Sequence, residues 1–209
     1  VLDWVTISSL ATAIGTLVLA VATFSSVRAS ARAARAAEQA LQVGLRPVLL
    51  TSRLEDPAQK VGFLDSKWLQ VPGGGARADV GDDAVYLAIS LRNVGNGLAV
   101  LHGWRFTPQR LSNGDRPPLA DFHRLTRDLY VQAGEYGYWQ GTFRDASDPQ
   151  YELARLAVKN REPMTVDVLY GDHDGGQRTI GRFVMLPVRE DGWLVSHSRQ
   201  WNLDRPDPR

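Results

Sequence analysis

The sequence contains no cysteine, which excludes a disulfide framework, thiolate zinc sites, iron–sulfur ligation and cysteine nucleophiles. Histidine is scarce, at four residues, so metal or acid–base constellations have few members to draw on. A surplus of charge is also missing: Lys and Arg total 24 against 23 Asp and Glu, for a formal net charge of +1. Nucleic-acid binding rests on phosphate neutralisation and needs a basic surplus or stripe, so no nucleic-acid partner is expected. Disorder and fibrous repeats do not fit either, because 44% of the 209 residues are hydrophobic and 22% charged. That length suits one domain with an appendage, since single domains most often run to ~100–150 residues.

What is present first is a long apolar run. Trp4 to Val27 reads WVTISSLATAIGTLVLAVATFSSV, with no charge between Asp3 and Arg28. At ~1.5 Å per residue such a helix spans about 36 Å, enough to cross a hydrocarbon core of ~30 Å. A secretory signal would open on a basic segment, whereas here only Asp3 precedes the run, although Ala20-Val21-Ala22 resembles a cleavage site. Residues 1–27 are therefore expected to be a single transmembrane anchor. Arg28, Arg32, Arg35 and Arg46 all follow the span and nothing basic precedes it. Basic flanks are retained on the cytoplasmic side, so the N-terminus is expected outside the inner (cytoplasmic) membrane and the C-terminal domain in the cytoplasm. Ala11 and Gly15 form a small-xxx-small pair, with Ser8, Thr12 and Thr16 in one helical row. These five are candidates for a helix–helix interface with another membrane protein or a second copy; alternatively, the hydroxyls bond back to the preceding turn.

Residues 28–44 are rich in Ala and Arg and free of Pro, so the helix is expected to continue as a juxtamembrane stalk up to Gly44. Arg28, Arg32 and Arg35 share a face. They either bind anionic headgroups, at ~1 kcal/mol each, or only set topology.

Beyond Pro47 the period changes to that of strands. Val85, Leu87, Ile89 and Leu91 alternate with Tyr86, Ala88, Ser90 and Arg92, the clearest alternation in the chain. Further strands are expected near residues 45–50, 61–71, 98–106, 129–132, 136–143, 164–170, 178–186 and 193–201, with Asp172 to Gly176 as a hairpin turn. Asp148-Pro149 starts one helix running to Asn160. Eight or nine strands with this turn spacing indicate a mainly β domain over residues 45–202, an antiparallel β-sandwich with one inserted helix, with a barrel as runner-up. Residues 203–209 form a proline-rich tail, read either as a docking peptide or, preferably, as a frayed end.

Leu91-Arg92-Asn93-Val94-Gly95-Asn96-Gly97-Leu98-Ala99, followed by Val131-Gln132-Ala133-Gly134-Glu135, resembles the L-x-N-x-G-x-x-x-A … L-x-x-G-E cadence of immunoglobulin-like domains in bacterial proteins. With the span and the Arg/Ala stalk, the layout is similar to actinobacterial single-pass membrane proteins with a C-terminal immunoglobulin-like sandwich. The resemblance implies a fold and assigns no activity.

Chemical candidates are few. Asp172-His173-Asp174 lies on a turn and three successive residues do not converge on one ion, while His102, His123 and His197 lack ligand spacing. Asp79, Asp82 and Asp83 do not follow a calcium-loop pattern, and Gly73-Gly74-Gly75 lacks the Gly-Lys-Ser/Thr of a phosphate cradle and reads as a flexible loop. No catalytic residue, metal or cofactor is assigned. Tyr136, Tyr138 and Trp139, with Phe143, put large rings on both faces of one strand. One set is expected in the core, and the other forms either a partner patch or the seat of the helix 149–160. The expected role is an accessory or scaffolding protein-interaction subunit of a membrane assembly. The alternatives are a membrane-tethered enzyme using Asp172, His173 and His102 or His197, and a lipid- or ligand-binding sandwich with an apolar cavity between its sheets.

Overall fold

The computed structural model describes residues 3–112, 114–188 and 192–207, without the side chains of Thr6 and Gln42. The chain divides into two compact units, Val1–Gly44 and Leu45–Arg209. The first is one helix, α1 (Trp4–Gly44), whose stretch Ile7–Leu41 is long and apolar enough to cross a membrane. Its length of roughly 60 Å is about twice a hydrocarbon core. Within it the Ser8, Thr12 and Thr16 hydroxyls donate to the carbonyls of Val5, Ser8 and Thr12 at 2.8–2.9 Å. Their hydrogen-bonding demand is thus met inside the helix, as a lipid environment requires. Ala11 and Gly15 are exposed on the helix surface, and a side chain added at Gly15 would meet nothing among the described residues.

The second unit is an antiparallel β domain. Its strands are β1 (Leu49–Thr51), β2 (Gln59–Gly62), β3 (Trp68–Val71), β4 (Gly75–Val80), β5 (Val85–Asn93), β6 (Ala99–Thr107), β7 (His123–Val131), β8 (Tyr136–Phe143), β9 (Met164–Gly171), β10 (Thr179–Pro187) and β11 (Trp193–Asn202), with a helix α2 (Pro149–Lys159) between β8 and β9. One continuous sheet runs β1-β5-β4-β11-β10-β9-β6-β7, and β8 pairs with β5. The β4–β11 join is short, Trp193 opposite Ala76 and Leu194 opposite Gly75. The sheet folds at this join, so that β8 faces β6: Trp104 on β6 meets Trp139 and Phe143 on β8 at ring-centroid distances of 5.3 and 5.0 Å. These edge-to-face aromatic contacts lie in the core between the two layers. Trp193 and Trp201 are buried and hold β11 in place.

Several sequence expectations are corrected. Residues 61–71 hold not one strand but a hairpin, β2–β3, turning at Asp65-Ser66, where Ser66 adopts a positive φ of 62°. Gly73-Gly74-Gly75 is not a flexible loop: all three are buried and Gly75 opens β4. Val61, Phe63, Leu69 and Val71 of the hairpin region pack on Tyr86 and Ala88, so β5 is buried on both faces. That second cover also explains why β5 keeps apolar residues on both sides of its alternation. The outer face of β8 is accordingly met by this hairpin and not by α2, as Gln59 donating to the Gly137 carbonyl shows. α2 itself starts as its sequence dictates: the Asp148 side chain accepts from Gln150 N–H at 2.8 Å, Pro149 follows, and Ala154 and Ala157 face the core. The tail is tied down through residue 207, by Arg178 to Asp204 and by Asn202 N–H to Asp207; residues 208 and 209 lie outside the described residues.

Candidate functional site

Asn93 organises one end of the domain. Fully buried at the end of β5, it accepts from Val48 N–H and Gly95 N–H through its side-chain oxygen at 3.1 and 3.0 Å. Its amide nitrogen donates to the Gly97 and Val131 carbonyls at 2.7 and 3.0 Å. The backbone of Asn93 also donates to Glu135 O and accepts from Gly134 N–H, both at 2.9 Å. The two quoted motif segments therefore meet at one residue, which stitches the turn joining β7 to β8. Gly95 and Gly97 are glycines because a Cβ there would overlap the carbonyl oxygens of Arg46 and Leu45.

Away from that stitch the β7–β8 hairpin parts. Among the described residues, β7 is hydrogen-bonded as a ladder only to β6 and β8 only to β5. At the far end the strands meet through rings instead, His123 on Phe143 at 5.9 Å between centroids. β7 is interrupted here: Leu101 faces Leu129 but Gly103 faces Arg124, so residues 125–128 bulge out opposite the single residue His102. The result is a cleft of about 310 Å³ between two unpaired strand edges. Phe63 and Leu64 form one wall, Trp104 and Phe143 line it, and Arg124 and Arg127 belong to its β7 side. Gln140 is 5% exposed, and its side-chain oxygen has no hydrogen-bond partner among the described residues. A buried, unmatched acceptor of this kind costs about 1–3 kcal/mol.

Electrostatics around the cleft are set by pairs. Asp65 of the β2–β3 turn accepts from Arg144 at 2.7 Å and from the Tyr86 hydroxyl. The Arg144 guanidinium first, and the Tyr86 phenol second, hold the Asp65 carboxyl far below the usual carboxylate range. Burial, with Asp65 adding to it, raises the Tyr86 phenol. Arg127 donates to the Gly62 carbonyl at 3.0 Å, whereas Arg124 is exposed and meets no acidic partner among the described residues.

The other charged cluster is structural. Arg182, 2% exposed, forms two hydrogen bonds to Asp167, 1% exposed, at 2.7 and 3.1 Å, and Arg105 adds a third at 3.3 Å. The loop after β6 covers this face, with Leu111 N–H on Thr165 and the Trp201 indole on the Gly114 carbonyl.

Trp139, expected as part of an exposed partner patch, is fully buried in the core; Phe143 is buried as well. Tyr138 is half-buried beneath the hairpin, and of the three only Tyr136 is exposed, at 40%. Strand parity explains it: Trp139 and Phe143 point between the layers, and the opposite face lies under β2–β3. The histidines are spread out. His102 lies beside Gly171, His123 against Trp104, and His197 against Phe183, while His173 stands on the β9–β10 turn. Among the described residues no three His, Asp or Glu side chains form a metal-binding group. The cleft itself escaped sequence reading, since an unpaired edge is a property of strand order.

No protein-family model and no curated protein matches this chain. A crystal structure of a protein from Archaeoglobus fulgidus aligns with it over 63% of this chain and 94% of the other at 13% identity, with a TM-score of 0.25. A likeness this low carries no argument about fold or activity.

Proposed function

We propose that the chain is a single-pass membrane-anchored protein-interaction subunit, accessory to or scaffolding a membrane assembly. The observation that carries the proposal is the combination, in one chain, of a membrane-crossing helix and a β domain with two unpaired strand edges beside a cleft. An open sheet edge is a recurrent docking element for another chain. The basic collar of Arg28, Arg32 and Arg35 supports the domain lying on the cytoplasmic face of the inner membrane, with the N-terminus outside. Those arginines also suit anionic headgroups. With the Ser8, Thr12 and Thr16 hydroxyls bonded back within the helix, it is the small pair Ala11 and Gly15 beside them that suits a close contact with another membrane helix, including that of a second copy.

The test is purification of the intact chain in a gentle detergent after in-cell cross-linking, together with protease treatment of spheroplasts. A stoichiometric co-purifying protein and a protected β domain are expected. Recovery of the chain as a bare monomer refutes the interaction reading. Digestion of the β domain from outside refutes the orientation. Replacing Arg28, Arg32 and Arg35 together by Asn removes the bias and is expected to yield a mixture of topologies.

A further inference from the structure

We propose that a second cleft, on the outer face of β10 and β11, binds a phosphate monoester, carried by a small molecule or by a lipid headgroup. Arg110 and Arg199 take the phosphate charge, and the Ser112, Ser196 and Ser198 hydroxyls complete its hydrogen bonds. The carbon part of the ligand lies on Leu111, Val184 and Leu186. This cleft shares no residue with the one between β7 and β8 and does not depend on the interaction reading.

Three segments far apart in the sequence converge on a volume of about 310 Å³: residues 110–112 of the loop after β6, Val184 and Leu186 of β10, and Ser196, Ser198 and Arg199 of β11. Among the described residues no Asp or Glu lines it, so two guanidiniums that never lose their charge face one opening without an internal counter-ion. Neither Arg110 nor Arg199 forms an ion pair or hydrogen bond with a described residue. Arg182, on the same face, is by contrast satisfied by Asp167. The register of β11 is the second, independent observation. Arg182 faces Arg199 but Phe183 faces His197, so Ser198 is an extra residue in the ladder. Strict alternation would send Ser196 and Ser198 to one side of the sheet and Arg199 to the other; the bulge re-aims Arg199, and all three line one cleft. The loop opposite is pinned on both sides of Arg110 and Ser112. Leu111 N–H donates to the Thr165 hydroxyl at 3.0 Å, that hydroxyl donates to the Gln109 carbonyl at 2.7 Å, and the Trp201 indole donates to the Gly114 carbonyl at 3.3 Å. Ordering the site around a ligand therefore costs little. The donor set selects phosphate over carboxylate. A phosphate monoester brings three terminal oxygens and ~1.5–2 negative charges at neutral pH, which matches two guanidinium forks and three hydroxyls, whereas a carboxylate brings two oxygens and one charge. The Ser198 hydroxyl makes only a long bond, 3.4 Å to the Arg182 carbonyl, which a phosphate oxygen replaces. The volume lies at the low end of the ~300–1,000 Å³ of small-molecule sites, so the group attached to the phosphate is small.

The test uses the intact protein and hydrogen–deuterium exchange read at residues 109–112 and 195–200, with calorimetric titration for affinity. In neutral-detergent micelles the probe is phenyl phosphate and the control is phenol, which has the same ring without the charge. For the lipid source, exchange is compared between nanodiscs of phosphatidylcholine with and without phosphatidic acid. Phenyl phosphate is expected to bind saturably and to slow exchange in both segments, and phenol to bind at least about tenfold more weakly. Arg110→Gln and Arg199→Gln are each expected to weaken phenyl phosphate about tenfold, and the double change to abolish its binding. Arg124→Gln removes an equal charge from the other cleft and is expected to leave binding unchanged. An unaltered unfolding temperature verifies that each variant is folded. Slowing by phenyl phosphate identifies a soluble phosphate ester as a ligand; slowing only in phosphatidic acid nanodiscs, lost in the double variant, identifies the headgroup, and both support the site. No slowing in either segment with phenyl phosphate or phosphatidic acid overturns the proposal. Equal binding of phenol, binding that survives the double change, or an equal loss in Arg124→Gln overturns it too.

Discussion

Asn93 provides the sharpest test of how the domain is held together. Replacing it by Ala removes two acceptor and two donor contacts at once. The Val48 and Gly95 N–H groups are partly accessible and water can take the place of the lost oxygen. The Gly97 and Val131 carbonyls face Asn93 in buried bonds and have no such recourse. At ~1–3 kcal/mol for each buried group left unmatched, these two alone predict a loss of about 2–6 kcal/mol. Against a typical total of ~5–15 kcal/mol, that is a large fraction of the domain's stability. Urea unfolding of the intact protein in micelles, followed by tryptophan fluorescence, reads the change directly. Asn93→Asp sharpens the test because it keeps the shape and both acceptor contacts but turns an oxygen toward two carbonyls. Burial raises the folded-state pKa of that Asp above its unfolded value of ~3.9, so protonation stabilises the fold. Relative to the unmodified protein, Asn93→Asp is therefore expected to be least destabilised near pH 4 and progressively worse as pH rises through its folded pKa. An Asp variant within ~0.5 kcal/mol of the original at neutral pH, or a penalty that shrinks as pH rises, refutes the reasoning.

Arg182→Met leaves Asp167 buried with only the partly exposed Arg105 and is expected to cost ~3–5 kcal/mol in chemical denaturation; the double change with Asp167→Leu is expected to be less destabilised than Arg182→Met alone, because no orphaned charge remains. If the two changes simply add, the pair is not coupled as described. Burial pushes the Tyr170 phenol up to about 12, while its oxygen accepts from Leu49 N–H at 3.2 Å. The stabilisation linked to its neutral form is full below pH ~10 and is lost as pH rises through about 12, so Tyr170→Phe should flatten the alkaline limb of stability against pH. An identical alkaline limb in the two proteins removes Tyr170 from that account.

Local chemistry made much of the architecture legible. The uncharged run before Arg28 and the absence of proline up to Gly44 specify one long helix, and α1 has that extent. Strict alternation gave β5, and Asp148-Pro149 gave the start of α2 within a residue. Turn residues placed the β9–β10 hairpin. The β2–β3 hairpin was missed because its strands are four residues each and its turn contains Asp and Ser without glycine. Gly73 to Gly75 misled in the other direction, since glycine signals mobility and close packing with the same letter, and here the Gly75–Val80 strand needs the close approach.

By itself, the sequence determined which segments are helical or extended and which side chains share a face, because these follow from the 3.6- and 2-residue periods of the backbone. It also determined that charge concentrates just after the apolar helix. Only the tertiary structure decided which strands lie side by side, and with that which edges stay unpaired. Strand parity puts Trp139 and Tyr136 on opposite faces of β8, yet only the packing of the layers decides that the Trp139 face is the core while Tyr136 reaches solvent. That difference, the cleft between β7 and β8 and the unmatched Gln140 oxygen all arise from contacts between residues far apart in the chain. Local propensities carry no information about them.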